Sequence, residues 1–131
     1  MKIAIVGSRS INNEELVVNF INECLPDLSI VNLIISGGAK GVDTIAESFA
    51  KRNKIKTKIF LPDWNTYGKQ AGFIRNSDII SLCDECIVIW DGKSKGAKHD
   101  IELCTEMNKK CYVYNLEINK KYKIEQFQLF N

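Results

Sequence analysis

The passage from Val31 to Asp43 constrains this chain most. The apolar run 31–35 ends in Ser36-Gly37-Gly38-Ala39-Lys40-Gly41, and a helical pattern opens at Val42. Five largely apolar residues without clean alternation read as a strand buried on both faces, the situation of a parallel sheet. A glycine turn between such a strand and a helix suits an anion. Small residues let backbone N–H groups approach it, and the helix N-terminus adds partial positive charge. A parallel strand also needs a crossover, so strands must alternate with helices along the rest of the chain.

They do alternate. Residues 2–6 are a β-rich run ending at Gly7. Asn12 and Asn13 precede Glu14 and Glu15, a helix start with a capping side chain and first-turn acids. Leu16, Val17, Phe20, Ile21 and Cys24 follow at helical spacing, and Pro26 ends that helix. Val42, Ile45, Ala46, Phe49 and Ala50 form the stripe of the second helix. Residues 56–61 read as a third strand stopped by Pro62. Residues 63–72 begin as a loop and become helical near Gln70, with Phe73, Ile74, Ile79 and Ile80 carrying the apolar pattern to Leu82. Strands at 85–90 and 110–115 flank a fourth helix over 97–108, with Ile101, Cys104 and Met107 inward.

This order predicts an α/β chain: a Rossmann-like, doubly wound parallel sheet of about five strands in a three-layer α/β/α arrangement, with right-handed crossovers. Residues 1–115 would form the domain. In the tail, 116–131, Ile118, Tyr122, Ile124, Phe127, Leu129 and Phe130 are too apolar for a free segment. The tail is expected to cover the sheet edge or to meet another subunit. Apolar residues there and in the third and fourth helices predict a homo-oligomer.

At 131 residues the chain has room for one domain. A formal charge of +2 gives no broad electrostatic case for nucleic acid. No apolar run approaches the roughly 18 residues a membrane span needs. The N-terminus is too short and alternating for a signal peptide, so a cytoplasmic protein is expected. The five cysteines, an odd number, read as reduced thiols. Cys83-Asp84-Glu85-Cys86 lacks a second pair, and His99 is the only histidine, so no metal site is expected. The reading there is a helix ending at Cys83 and a buried strand starting at Cys86.

Ligands in open α/β sheets bind beyond the C-terminal strand ends, near the switch in strand order. Three glycine-bearing loops are candidates: Gly7-Ser8-Arg9, Ser36 to Asp43, and Asp91-Gly92-Lys93-Ser94-Lys95-Gly96. The second is neither a dinucleotide fingerprint, since Ser36 stands where the first glycine belongs, nor a P-loop, since Lys40 precedes Gly41. No cofactor is expected. Arg9 and Arg75 present forks of donors that match phosphate oxygens, and Lys69 can add a point charge. Trp64 and Tyr67, in a polar irregular stretch, can stack a base. Asp43 opens the second helix, where it either caps backbone or takes a ribose hydroxyl. His99 is read as exposed and without a role.

Four motifs occur in order. They are Gly7-Ser8-Arg9; Ser36-Gly37-Gly38-Ala39-x-Gly41-Val42-Asp43; Asp63-Trp64-x-x-Tyr67-Gly68-Lys69-x-Ala71-Gly72-x-x-Arg75-Asn76; and Trp90-Asp91-Gly92-x-Ser94-x-Gly96. Together they resemble the YspA/YpsA-related branch of the SLOG superfamily. The superfamily is similar to Lonely Guy phosphoribohydrolases and to the Rossmann core of DNA-processing protein A. The resemblance implies a cleft for a nucleoside phosphate or an ADP-ribose-like molecule, lined by the residues of these motifs and by Ala97. A sensor, a sink or a processing domain would all fit. An alternative is an N-glycosidic hydrolase or transferase, with Asp100 in the place of the Lonely Guy catalytic glutamate and Asp43 second. There Gly96-Ala97-Lys98-His99-Asp100 replaces G-T-x-x-E, losing the threonine hydroxyl and one methylene of the acid. A second alternative is a nucleic-acid-binding module, which the low charge and the lack of an added DNA-binding domain disfavour.

Overall fold

The computed structural model describes residues 1–125. Six strands form one sheet in the order β3-β2-β1-β4-β5-β6. They are β1 (Lys2–Gly7), β2 (Leu33–Ser36), β3 (Lys56–Ile59), β4 (Glu85–Trp90), β5 (Lys110–Asn115) and β6 (Lys120–Ile124). The first five are parallel, and β6 returns antiparallel to β5. The helices are α1 (Glu14–Cys24), α2 (Val42–Arg52), the single turn α3 (Trp64–Tyr67), α4 (Ala71–Leu82) and α5 (Lys95–Glu106).

The alternation of side chains along the strands builds two cores. Ile3, Ile5, Ile34, Ile87 and Ile89 face α1 and α2, where they meet Val17, Phe20, Ile21, Ile45 and Phe49. Ala4, Val6, Ile35, Cys86, Val88, Cys111 and Val113 face the other way, against Ile79, Ile80, Leu103 and Cys104 of α4 and α5. Burial on both faces is why the central strands carry nearly continuous apolar runs. The chain places β2 and β3 to one side of β1, then crosses to β4 on the other. The order therefore reverses between β1 and β4, and the crevice of a doubly wound fold opens there.

Local chemistry sets most boundaries. Asn13 caps α1, its side-chain oxygen accepting from the Leu16 N–H at 3.1 Å. Ser94 caps α5 by accepting from the Ala97 N–H at 3.3 Å, so this helix starts two residues before the expected 97. Asp63 caps the turn α3, which the polar sequence presents as loop.

Other expectations also differ from the structure, among them the end of the third strand, which stops at Ile59 and not at residue 61. Residues 31 and 32 precede β2, because Leu28–Ile30 forms a 3-10 turn and the Val31 N–H bonds to the Leu28 carbonyl at 3.1 Å. Phe73 is 48% exposed, although its spacing matches the buried face of α4. The sheet has a sixth strand, made by part of the tail. Asn119 takes φ +49° at the turn that brings β6 back beside β5, a conformation asparagine tolerates. Tyr122 and Ile124 then pack against the α4–α5 side. Phe127, Leu129 and Phe130 lie outside the described residues. No helix among the described residues is long and apolar enough to cross a membrane.

Ile87 is fully buried at the centre of the sheet, whereas Leu61 is 70% exposed. Ile87→Ala is expected to cost about 2–5 kcal/mol, and Leu61→Ala no more than about 0.5 kcal/mol. Urea unfolding measures both; equal losses would contradict this core.

Candidate functional site

The three glycine-bearing loops meet at one end of the sheet. The Ser8 N–H continues the β1–β4 ladder to the Ile89 carbonyl at 3.0 Å. The Asp91 N–H donates to Ser8 Oγ at 2.9 Å, and Ser10 Oγ donates to Asp91 Oδ2 at 2.7 Å. These bonds tie the first loop to the third. The second loop packs on the first through Gly41. This residue has φ +76°, and a Cβ there would lie 2.5 Å from the Ser8 carbonyl oxygen. No side chain but glycine's fits both the angle and the contact. As the N-cap of α2, Gly41 also offers no side-chain oxygen to the helix's first N–H groups.

Between the loops lies a cavity of about 470 Å³. That is within the roughly 300–1,000 Å³ of small-molecule sites. Gly7, Arg9, Ala39 and Asp43 line it from the first two loops. Asp91, Ser94, Gly96, Ala97 and Asp100 line it from the third loop and α5. Trp64, Lys69, Arg75 and Asn76 close the remaining side.

Four buried polar residues form its floor: Asp43, Arg75, Asn76 and Asp100. Arg75 Nη1 donates to the Gly37 carbonyl at 2.5 Å, and Nε donates to Asn76 Oδ1 at 2.9 Å. A Cβ on Gly37 would stand 2.6 Å from Arg75 Nη1 and 2.9 Å from Asp43 Oδ2, so the bare backbone is what admits the guanidinium. Asp43 Oδ2 accepts from the Ala39 N–H at 3.2 Å. Asp43 Oδ1 and Asp100 Oδ1 are buried without a hydrogen-bond partner among the described residues. Burial pushes the Asp43 carboxyl up to about 6, against the pull of the Ala39 N–H and Arg75. Burial and then the neighbouring Asp43 raise Asp100 well above the usual carboxylate range. Two acids in so dry a place do not both ionise readily.

The remaining expected site residues stand apart from the cavity wall. Ser8 and Ser36 are buried braces, Ser36 Oγ donating to the Ile5 carbonyl at 2.8 Å. Val42 is fully buried in the α1–α2 core. Gly38, at φ +69°, shapes the turn beside Leu61 and Ile59. Gly92, at φ +83°, packs against Glu117. Asp63 is engaged by Thr66, through its N–H at 3.1 Å and its hydroxyl at 2.7 Å. Tyr67 is 49% exposed, outside the cavity but on the same turn as Trp64. Partial burial opposes ionisation of Asp91, but the Ser94 N–H, the Ser10 hydroxyl, the Lys93 N–H and the Ser8 hydroxyl bring it down to about 2.

Sequence reasoning did not single out Ser10, Phe73 or His99. Ser10 and Phe73 line the cavity. His99 is half-buried rather than exposed: its Nδ1 lies 3.3 Å from the Asn76 amide nitrogen, and Phe73 packs edge-on at 4.7 Å between ring centroids. Burial lowers its proton affinity, against the pull of Glu102 and Glu106. The one available signal was the spacing Gly72-Phe73, which continues the motif of the preceding loop.

Residues 1–67 match the YspA, cpYpsA-related SLOG family. The chain is 27% identical over 104 residues to the Gene 61 protein of Mycobacterium phage D29, an overlap of 75% of this chain and 83% of that one. Its fold is similar to that of DNA processing protein A from Helicobacter pylori, with a TM-score of 0.70 and 24% identity, covering 92% of this chain and 68% of that one. It is similar also to DNA processing protein A from Streptococcus pneumoniae, with a TM-score of 0.66 and 23% identity, covering 86% of this chain and 49% of that one. The structure of the H. pylori protein is described by its single-stranded DNA binding mode.

The buried acids set a pH signature. An unfolded chain releases the Asp43 proton near 3.8, whereas the folded one holds it to about 6. This contribution to stability is full below the first value and declines as pH rises through the second, by up to about 3 kcal/mol. Asp100 acts in the same direction. The stability of Asp43→Asn relative to the parent should therefore grow between pH 4 and pH 7, by about 1–3 kcal/mol. Thermal melts of the two proteins across that range measure it; a difference independent of pH would show that Asp43 is not destabilised by its ionisation.

Proposed function

We propose that this chain, which belongs to the YspA, cpYpsA-related SLOG family, binds a nucleotide unit in the cleft between the ends of β1 and β4. One observation carries the reading. Asp43 Oδ1 and Asp100 Oδ1, both buried at the cavity, lack donors. Buried acceptors are costly unless a hydrogen bond meets them. The ligand must therefore present O–H or N–H groups there, as sugar hydroxyls or a base amine do, and its phosphate must lie elsewhere. The N-terminus of α2, which no side chain caps, is the anion position, with Arg9 and Lys69 at the cleft. Trp64 and Phe73, 54% and 48% exposed on its wall, offer faces for a base.

A single strand of nucleic acid is the presentation we favour over a free nucleotide or ADP-ribose. Tyr67 carries the aromatic surface beyond the cavity, and both solved relatives are DNA processing protein A. Stacking platforms beside cations are how single strands are held without reading sequence. The formal charge of +2 argues the other way, but the local placement of Arg9 and Lys69 outweighs it. N-glycosidic cleavage is the weaker reading. Burial, and then the neighbouring Asp43, disfavour the charged form of Asp100 that would stabilise a sugar cation.

Thermal shift with AMP, ADP-ribose and a 20-nucleotide DNA strand, and base-release assays on each, separate these readings. The strand is expected to raise the melting temperature, with a salt-dependent affinity. Trp64→Ala should weaken binding by about 1–3 kcal/mol without base release in either protein. Stabilisation by AMP or ADP-ribose alone would move the assignment to a small molecule. No stabilisation by any of the three would overturn the proposal.

A further inference from the structure

Four of the chain's five cysteines lie in the layer between the sheet and the α4–α5 pair. Cys83 ends α4, Cys86 is on β4, Cys104 is on the inner face of α5, and Cys111 is on β5. Cys86 and Cys111 are register partners on adjacent parallel strands, so their side chains share a face. Cys104 descends onto them from the helix. The three Sγ atoms of Cys86, Cys104 and Cys111 all lie within 4.8 Å of one another, and all three residues are fully buried. A point central to three atoms so spaced is no more than about 2.8 Å from each, and a zinc–thiolate bond is about 2.3 Å. Side-chain movements of roughly half an ångström would close the triangle on an ion.

We propose that Cys86, Cys104 and Cys111 form a buried thiolate site for a soft d¹⁰ metal ion, Zn²⁺ or Cu⁺, which ties α5 to β4 and β5. Each ligating thiol releases its proton to solvent, and no sulfur is oxidised. The donor set is all sulfur, which selects soft ions over magnesium or calcium. Cu⁺ is satisfied by three thiolates. Zn²⁺ takes a fourth ligand beyond the three thiolates.

Because the sulfurs are inaccessible, the ion enters during folding. The test refolds the full chain from urea, without chelator and under anaerobic reducing conditions, with one equivalent of Zn²⁺ or of Cu⁺. Native mass spectrometry then counts bound ions, and thermal melts compare loaded and metal-free protein. Refolding with Co²⁺ adds a thiolate-to-metal absorption band as an independent signature. The expected result is one ion per chain and a melting temperature raised by several degrees. Uptake should be lost in Cys104→Ser and Cys111→Ser and kept in Cys24→Ser. The two loading arms decide between the ions. Wild-type protein that refolds metal-free in both arms, with no cobalt–thiolate band, would overturn the proposal, whatever the variants do. Full uptake by Cys104→Ser would overturn it as well, by placing the ion elsewhere. None of these readouts involves a nucleotide, so the outcome is separate from that of the cleft.

Discussion

The parallel pairing of β1 with β4 is the contact on which the rest of this structure depends. Its register runs from Ile3 opposite Glu85 to Gly7 opposite Ile89. Each strand sends isoleucines to the α1–α2 side and smaller residues to the α4–α5 side, so one pairing anchors both cores. The same pairing is where the strand order reverses. The chain cannot lay a connection across both sides of that point, and a crevice remains at the strand ends. Ser8, Ser10 and Asp91 then lock the two loops that border it.

The floor of the crevice works against stability. Asp43, Arg75, Asn76 and Asp100 are polar groups held at 4–9% exposure, and two of their oxygens lack donors. Arg75 is a strut as much as a cation, since its guanidinium bonds the Gly37 carbonyl and its neighbour Asn76. It thereby fixes the backbone of the glycine turn while partly offsetting the charge of the acids. A fold that tolerates unpaired acceptors in a dry place has stability to gain by removing them. Such tension between local stability and a polar constellation is common at functional sites.

Much of the fold was legible along the chain. The runs that became β4 and β5 were readable to the residue: β4 is a continuous apolar run buried on both faces, and β5 alternates buried Cys111 and Val113 with half-buried tyrosines. The glycine turn before α2 was equally plain, as was the convergence of three loops on one strand end. Other features were not. Phe73 has the spacing of a core residue, yet its ring is half exposed and lines the cavity. Residues 31 and 32 look like strand but serve a 3-10 turn. The sixth strand followed from a left-handed asparagine, a conformation no periodicity announces.

By itself, the sequence determined the alternation of strands and helices, the loops that carry glycine, and hence the class of fold. Hydrophobic period, capping and turn chemistry are properties of neighbours along the chain, so they can be read there. Only the tertiary structure decided what the polar and sulfur-bearing residues became. Cys83 and Cys86 are close in sequence, yet the sulfurs that converge are those of Cys86, Cys104 and Cys111, joined by strand register and helix packing. Asp43 and Asp100 are ordinary helix-start acids on paper. Their raised proton affinities come from burial by segments far away in the chain and, for Asp100, also from Asp43. Dielectric environment and the approach of distant charges are set by packing in three dimensions, and no local pattern encodes them.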